Sequence, residues 1–452
     1  MGKNRQHTTP RSFPLLALLL ALGLACMTLG TVSTAHADGG APNLSYVSGT
    51  KDGISVIDIA NQNISATIKV DGDPRGMTLS ADSRYLYVAQ AQKNSIAVVD
   101  AHAHQVINTL PVGAGPTAVN LDLISTSHLW VANTGADTVT VLDPDAGKTL
   151  ATVQVGLHPT SISIATPTSG ISETDGSSEV LVANHDAQSI SIIGSESFKI
   201  ITTVPLPNGE SPIGVTVPGT GGTAYVTTDK GNVYGLTLVS HQFFGPIFTG
   251  QQLHFMDYDA TNGEVYVPDS LANSVTVLRP VFSGKNPPSK LPSEPVRTLT
   301  IGGGPVSVAI TNDGSLGLVA QQDSGNVTMI DVPGHKAVLT IHVGGTPQFL
   351  ITGPFPPLVN RQSAQIIVIA LYILGGLLLV GAIGGFIWWN RRQERRIRER
   401  YALEEADLQR QIELTEAIQK AINQPPTIVK ATSAGPPKPT TPNAPKKKKK
   451  RR

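Results

Sequence analysis

Short runs of alternating apolar and polar residues recur along most of the chain. Each run is rich in Val, Ile and Thr and is bounded by Gly, Asp, Asn or Pro, which predicts antiparallel strands joined by tight turns. The pattern repeats with a period of about 40 residues. Residues 87–120 and 130–163 show it clearly, since both contain a Val-Ala strand, a strand that ends in Asp, and a Val-Gly turn with Pro three residues later.

The unit occurs seven times. Four strands at this period form one blade of a β-propeller. A solenoid of the same period is the alternative, but its open ends would need polar caps, and the sequence shows none. We therefore predict an all-β fold, a seven-bladed β-propeller. Its copies begin at Tyr46, Tyr87, Trp130, Leu181, Tyr225, Tyr266 and Leu318.

The repeat begins and ends out of phase. The chain enters the pattern in the middle of a unit, at Leu44, and leaves it with one additional strand at 346–352. Pairing of this C-terminal strand with the N-terminal blade would complete the seventh blade and remove two free strand edges. We expect the propeller to close in this way.

Two apolar segments lie outside the repeats. Lys3, Arg5 and Arg11 precede an apolar stretch that ends near Ala35-His-Ala37, which predicts a signal peptide cleaved after Ala37. Lipid attachment at Cys26 is the weaker alternative. The second segment, 366–389, has 24 residues without a charge and would reach roughly 36 Å as a helix, so we predict one C-terminal transmembrane α-helix.

The Arg-rich sequence after Trp389 predicts orientation. Positively charged flanks stay in the cytoplasm, which places the propeller outside a cell membrane that the chain crosses once. A buried core helix is the alternative at 366–389, although no second apolar helix is present to pack against it. The predicted domains are a signal peptide at 1–37, a propeller at 38–353, a linker at 354–365, the transmembrane helix at 366–389, a charged juxtamembrane helix at 390–423 and a disordered Pro-rich tail at 424–452.

The net charge of +1 is the sum of segments with opposite net charges. Residues 38–363 carry 14 Lys/Arg and 26 Asp/Glu, a net charge of −12, which argues against nucleic-acid binding by the propeller. Residues 446–452 are seven consecutive cations. This tail is either a solvated segment or a site of contact with anionic lipid.

No catalytic signature is evident. The only cysteine, Cys26, lies in the predicted signal peptide, which excludes disulfides, thiolate nucleophiles and c-type haem attachment elsewhere. The glycines at 302–304 precede Pro305 and a strand, unlike a phosphate-binding loop. We therefore predict no metal, no cofactor and no enzymatic activity. A lactonase-like, metal-dependent hydrolase that uses carboxylates in the propeller pore is the alternative.

Charged and His side chains cluster in the turns that meet at one end of the predicted propeller. Propellers commonly bind ligands in the central depression at such an end, so we predict a binding or scaffolding module for a small ligand or an extracytoplasmic protein. Asp in turns also serves backbone hydrogen bonding, which is the alternative for each carboxylate. The candidate residues are Asp73, Arg75, His158, His185, Asp229, His254, Asp269 and Asp323.

The motif of Tyr-Val-x-Asn, a Val/Ile-rich strand ending in Asp and a Val-Gly-x-x-Pro turn resembles the YVTN β-propeller repeat proteins, also described as YncE-like surface or periplasmic proteins. The resemblance covers about residues 44–353 and implies the propeller fold without a shared active site. Two units depart from the motif, at 242–248 and at the insertion 283–295. A specialised surface is expected there.

Overall fold

The computed structural model falls into two compact units, Met1–Leu358 and Val359–Arg452, which are described separately. The predicted signal peptide at 1–37 and the tail at 424–452 lie outside the described residues, so both stay predictions. The structure describes residues 44–123, 127–166, 178–219, 221–354 and 361–422.

The first unit contains 28 strands in seven four-stranded antiparallel sheets. A single 3-10 turn, Pro207–Gly209, lies among them in the described residues. In chain order the strands are β1 (Leu44–Thr50), β2 (Gly53–Asp58), β3 (Asn63–Ile68), β4 (Pro74–Leu79), β5 (Tyr85–Gln90), β6 (Ser95–Asp100), β7 (Gln105–Pro111), β8 (Pro116–Leu121), β9 (Leu129–Asn133), β10 (Thr138–Asp143), β11 (Lys148–Gln154), β12 (Pro159–Ala165), β13 (Glu179–Asn184), β14 (Ser189–Gly194), β15 (Ile200–Pro205), β16 (Pro212–Thr216), β17 (Thr223–Thr228), β18 (Asn232–Thr237), β19 (Phe243–Thr249), β20 (Asp257–Tyr258), β21 (Val265–Asp269), β22 (Ser274–Leu278), β23 (Arg297–Thr300), β24 (Pro305–Ile310), β25 (Leu316–Gln321), β26 (Asn326–Asp331), β27 (Lys336–His342) and β28 (Phe349–Gly353).

The sheets are the seven blades of a closed propeller. Blade 1 has the order β28-β1-β2-β3, and blades 2 to 7 each use four consecutive strands from β4 onward. Seven apolar clusters in the described residues each join one blade to the next, and the seventh joins blade 7 to blade 1. Because every sheet buries both faces against neighbours, the ring itself is the hydrophobic core.

Ring closure occurs as the phase of the repeat predicts. Strand β28 pairs antiparallel with β1, with Leu44 opposite Gly353 and Ser48 opposite Phe349. The hydroxyl of Ser45 adds a hydrogen bond to the carbonyl of Ile351 at 3.0 Å. The C-terminal strand thus becomes the innermost strand of blade 1, which confirms the predicted pairing.

The Asn of the repeat motif has a structural role. Asn133 and Asn184 end the second strands of blades 3 and 4 and are fully buried. The Nδ2 of Asn133 donates to Thr140 Oγ1 at 2.8 Å, and that of Asn184 donates to Ser191 Oγ at 2.9 Å. Each Asn therefore joins its strand to the next strand of the sheet. The hydrogen bond also offsets the desolvation of the buried amide.

The antiparallel order defines two faces. One end of each sheet, which we name the front face, holds two kinds of connection. One joins the second strand to the third, and the other leads from the blade to the first strand of the next blade. The connections between first and second strands and between third and fourth strands lie at the other end, the back face. The first strands β4, β8, β12, β16, β20, β24 and β28 stand side by side around the central channel.

The second unit contains a single described helix, α1 (Arg361–Ile422), of 62 residues. No helix in the described part of the chain is long and apolar enough to cross a membrane. The transmembrane helix predicted at 366–389 is therefore wrong.

Candidate functional site

The central channel widens into two connected cavities. The front cavity measures about 370 Å³ and the back cavity about 600 Å³. Phe255 and Phe349 line both, with ring centroids 6.0 Å apart and ring planes at 84°. This edge-to-face aromatic pair marks the level at which one cavity passes into the other.

The front cavity combines apolar walls with a few polar groups. Met77 and Ile162 contribute apolar surface beside the two phenyl rings, while Arg75 and His158 line the cavity near the front face. Gln348 also lines it, and its Oε1 is buried without a hydrogen-bond partner in the structure. A buried acceptor without a donor is costly, so this cavity offers a ligand a hydrogen-bonding position.

His158 is held in a strained conformation at the rim of this cavity. Its φ of 57° lies in the left-handed region, and the Asp137 carboxylate accepts its backbone N–H at 2.8 Å. Its Nδ1 lies 3.1 Å from the Asp186 carboxylate, which also accepts a bond of 2.6 Å from Nδ1 of His185. The hydrogen bonds from the two imidazoles, above all that of His185, lower the pKa of Asp186.

The same turn position is occupied by glycine in other blades. The residue directly before the Pro that opens the first strand is Gly115 in blade 3 and Gly304 in blade 7, with φ of 59° and 64°. In blades 2 and 4 it is Asp73 and His158, with φ of 59° and 57°. Non-glycine residues in this region are strained and often lie at functional sites, which draws attention to this pair.

Arg75 lies two residues after Asp73, at the start of strand β4. Its Nε and Nη2 both donate to Asp73 Oδ2, at 2.9 and 2.6 Å. The pair is partly exposed, with the two side chains 41% and 27% accessible, so it contributes little to stability. The Nη1 amino group stays available to a ligand in the cavity.

Four of the eight candidate residues serve turns of the front face. Asp269 accepts the backbone N–H groups of Gln251 at 2.7 Å and of Gln252 at 3.1 Å. The Asp229 carboxylate likewise accepts the Ser211 N–H at 2.9 Å. These carboxylates follow the turn-forming alternative, because their acceptor capacity is used by backbone donors.

The side chains of Asp323 and His254 make local contacts of other kinds. The Asp323 carboxylate occupies the space that a Cβ on Gly304 would need. His254 Nε2 bonds Ser270 Oγ at 2.9 Å, and burial lowers the pKa of this imidazole. Of the candidate residues, Arg75 and His158 line the front cavity, with Asp73 beside Arg75 and His185 beside His158.

The back cavity has a different charge. Its wall carries Asp257, whose Oδ2 accepts the backbone N–H of Ile310 at 2.7 Å. Burial raises the pKa of this carboxyl to about 7, against the lowering effect of its backbone hydrogen bonds. Asp257 and Tyr258 are the titratable residues among the described residues that line this cavity.

Sequence reasoning missed Asp257, Asp186 and the two phenylalanines. Asp186 follows His185 directly in a turn between strands, a signal that was available. Phe255 and Asp257 lie near strand β20, which is only Asp257–Tyr258 long and lacks the opening Pro of other first strands. No group of three or more His, Cys, Asp or Glu side chains placed to hold a metal occurs among the described residues.

Comparisons with known proteins support the fold alone. No family profile matches the chain, and no curated protein does either. A functionally unknown protein from Desulfotomaculum acetoxidans DSM 771 is 12% identical with a TM-score of 0.54, over 68% of this chain and 98% of that one. Dihydro-heme d1 dehydrogenase NirN in complex with DHE is 14% identical with a TM-score of 0.47, over 68% and 74% of the two chains.

Proposed function

We propose that this protein is a binding module whose propeller holds a small ligand in the front cavity. The observation that carries the proposal is the cavity itself, about 370 Å³ at the centre of the ring, with Arg75 and His158 at its mouth. That volume falls within the range of small-molecule sites, which combine apolar walls with a few polar groups.

The chemistry of the walls favours a ligand with an acidic or hydrogen-bonding head and an apolar body. The head would meet the Nη1 group of Arg75 and the imidazole of His158, and the body would lie on Phe255 and Phe349. Arg suits a carboxylate head because its planar donors match the two oxygens. We regard the Asp73, Asp186 and His185 side chains as supports that orient those two groups.

We also propose relationship to the YVTN repeat proteins and export of the propeller. The first rests on the repeated Val-Ala-Asn strands, whose Asn side chains fasten strands in blades 3 and 4. The second rests on the signal-type sequence at 1–37. A protein partner on the front face is a further role that this exposed, turn-rich surface would allow.

The hydrolase alternative lacks a specific observation in its favour. A metal-dependent lactonase would need several carboxylate or imidazole ligands around one point in the channel. In the parts of the chain that the structure describes, the front cavity wall carries one imidazole, His158, and no carboxylate, and the back cavity wall carries one carboxyl group, Asp257, and no imidazole. Binding without catalysis therefore agrees better with this geometry.

Binding of benzoate to the full chain tests the proposal. We expect Arg75→Gln to weaken benzoate binding at least about tenfold, because the variant removes the charge that meets the carboxylate. Arg84→Gln is the matched control, since Arg84 lies on the back face beside the Tyr85 ring. Equal affinities of wild type, both variants and neutral benzamide in calorimetric titrations would refute the site.

A further inference from the structure

One position of the first strand forms the same link between successive blades. It lies four residues after the residue that pairs with the end of the second strand, which is Pro159 in blade 4 and, in blade 6, Leu253, whose isolated bridge to Asp269 precedes β20. At this position Ser163 Oγ accepts the Val217 N–H at 3.1 Å, and Asp257 Oδ2 accepts the Ile310 N–H at 2.7 Å. Both acceptors satisfy a backbone donor of the next blade.

The same position forms related links in two further blades. Asn120 Nδ2 donates to the Ile162 carbonyl at 3.3 Å, and Thr216 Oγ1 donates to the Met256 carbonyl at 2.9 Å. Neutral side chains therefore suffice for this structural task. The carboxylate in blade 6 adds a charge and a second oxygen that the link does not require. Its side chain is partly buried, and a partly desolvated charge favours a compensating partner.

The described residues do not supply that partner. No Lys, Arg or His in the described chain forms an ion pair with Asp257. The segments between residues 44 and 361 that are not described, 124–126, 167–177, 220 and 355–360, contain no Lys, Arg or His. Below about pH 7 a proton neutralises this carboxyl; above that pH, a compensating cation has to come from outside the described propeller residues.

The surroundings of Asp257 suit an organic cation. The back cavity measures about 600 Å³ and is lined by Phe255, Tyr258 and Phe349 together with aliphatic side chains. Aromatic rings attract cations through their negative faces. Asn120 and Thr216 add amide and hydroxyl oxygens on the same wall.

We propose that the back cavity binds a small organic cation, with an ammonium group against the carboxylate of Asp257 and an apolar body against Phe255 and Tyr258. This site lies toward the back end of the channel and shares Phe255 with the proposed front site, but its charged group, Asp257, lines the back cavity alone. The bound cation compensates the carboxylate, which stands at a position where Ser163 performs a similar structural task in blade 4.

The test uses two probes of equal size on the full chain, benzylammonium and benzyl alcohol. We expect benzylammonium to bind at least about tenfold more tightly than benzyl alcohol at pH 8, because only the former pairs with Asp257. Asp257→Ser should abolish this preference while keeping the acceptor that Ile310 needs. Asp71→Ser is the control, since it removes an exposed front-face carboxylate, 85% accessible, and should leave the preference unchanged.

Dependence on pH gives a second readout that needs no variant. Asp257 and Tyr258 are the titratable groups on the described cavity wall, and burial raises the pKa of both, that of Asp257 to about 7. Tyr258 therefore stays neutral, and benzylammonium binding should strengthen about tenfold per pH unit from pH 5 to pH 7 as protons leave the carboxyl. Benzyl alcohol binding should not change.

Three results would overturn the proposal. Equal binding of benzylammonium and benzyl alcohol at pH 8 would show that the cavity does not select charge. A benzylammonium preference that survives in Asp257→Ser, or in wild type at pH 5, would place the cation elsewhere. Binding of Na⁺ or Ca²⁺ alone that displaces benzylammonium would show an inorganic ion site in place of an organic one.

Discussion

The two cavities of the channel share Phe255 and Phe349 in their walls but differ in charged side chains: Arg75 lines the front cavity and Asp257 the back cavity. Arg75 lies one residue after the start of β4, near the front face, and Asp257 lies four residues after Leu253 in blade 6. Since a strand rises about 3.3 Å per residue, these two positions differ in depth by about 10 Å. The depth of a substitution along a first strand thus decides which cavity it changes.

The difference also shows how a repeat acquires specificity. Neutral residues at this position form related links to the next blade in blades 3, 4 and 5, through Asn120, Ser163 and Thr216. One charged substitution can then alter the chemistry of a cavity while the link survives. The following predictions separate what the two cavities share from what distinguishes them.

Removal of residues 347–353 should have the largest effect, because β28 lines both cavities and closes the ring. The deletion exposes a strand edge on blade 1 and uncovers the apolar contact with blade 7, at a cost we expect to exceed about 5 kcal/mol. The purified variant should aggregate or lack a cooperative thermal transition.

A deletion of equal length in the insertion of blade 6, residues 284–290, provides the control and should leave the melting temperature within a few degrees. An unchanged transition in the 347–353 variant would show that another contact closes the ring.

Asp257→Ser should alter how stability depends on pH. The folded pKa of about 7 lies above the usual value of 3.8, so the folded state binds the extra proton. Its contribution is fully present below pH 3.8 and is lost as pH rises through 7. We expect wild type to lose up to about 4 kcal/mol relative to the variant between pH 4 and pH 8, as measured by urea unfolding. Parallel curves of unfolding free energy against pH for the two proteins would contradict a raised pKa of Asp257 in the folded state.

Ser163→Ala tests the neutral version of the same link. The variant leaves the buried N–H of Val217 without its acceptor at 3.1 Å, which should reduce the free energy of unfolding by about 1–3 kcal/mol at every pH. Ser163→Thr keeps the hydroxyl and is the control. A pH-dependent loss in Ser163→Ala would mean that charge, rather than the link, sets the difference between blades 4 and 6.

His158→Gly should have the smallest effect on stability and of the opposite sign. Glycine relieves the strain of a φ of 57°, so the free energy of unfolding should rise by up to about 1 kcal/mol while benzoate binding weakens. Gly115→Ala, at the same turn position in blade 3, should lower stability by a similar amount. Unchanged benzoate binding in His158→Gly would remove the imidazole from the front site.

The sequence predicted the propeller well because its information is local. Alternation of residues specifies strands, Gly and Pro specify turns, and a constant period specifies equal blades. Closure by β28 could also be predicted, because the chain starts in the middle of a unit at Leu44 and ends with one additional strand.

The candidate site was only partly accessible to that reasoning. Asp73 pairs with Arg75 within blade 2, His158 and His185 share Asp186 within blade 4, and Arg75 and His158 line the same cavity. Asp229 and Asp269 show the same residue type in the same kind of turn, yet backbone donors occupy their carboxylates. Turn composition alone does not separate these two outcomes. The transmembrane prediction at 366–389 relied on the apolar composition of that segment alone. In the structure the segment is part of the longer helix α1, and no described helix is long and apolar enough to cross a membrane.

The sequence by itself determined the strands, the number of blades and the way in which the ring closes, since each follows from spacing along the chain. Only the tertiary structure decided where charge lies in the channel. Asp257 belongs to a two-residue strand with no opening Pro, and its partner Ile310 is 53 residues away. Packing of blade 7 against blade 6 around the channel brings them together and partly buries the carboxyl, which satisfies the backbone N–H of Ile310.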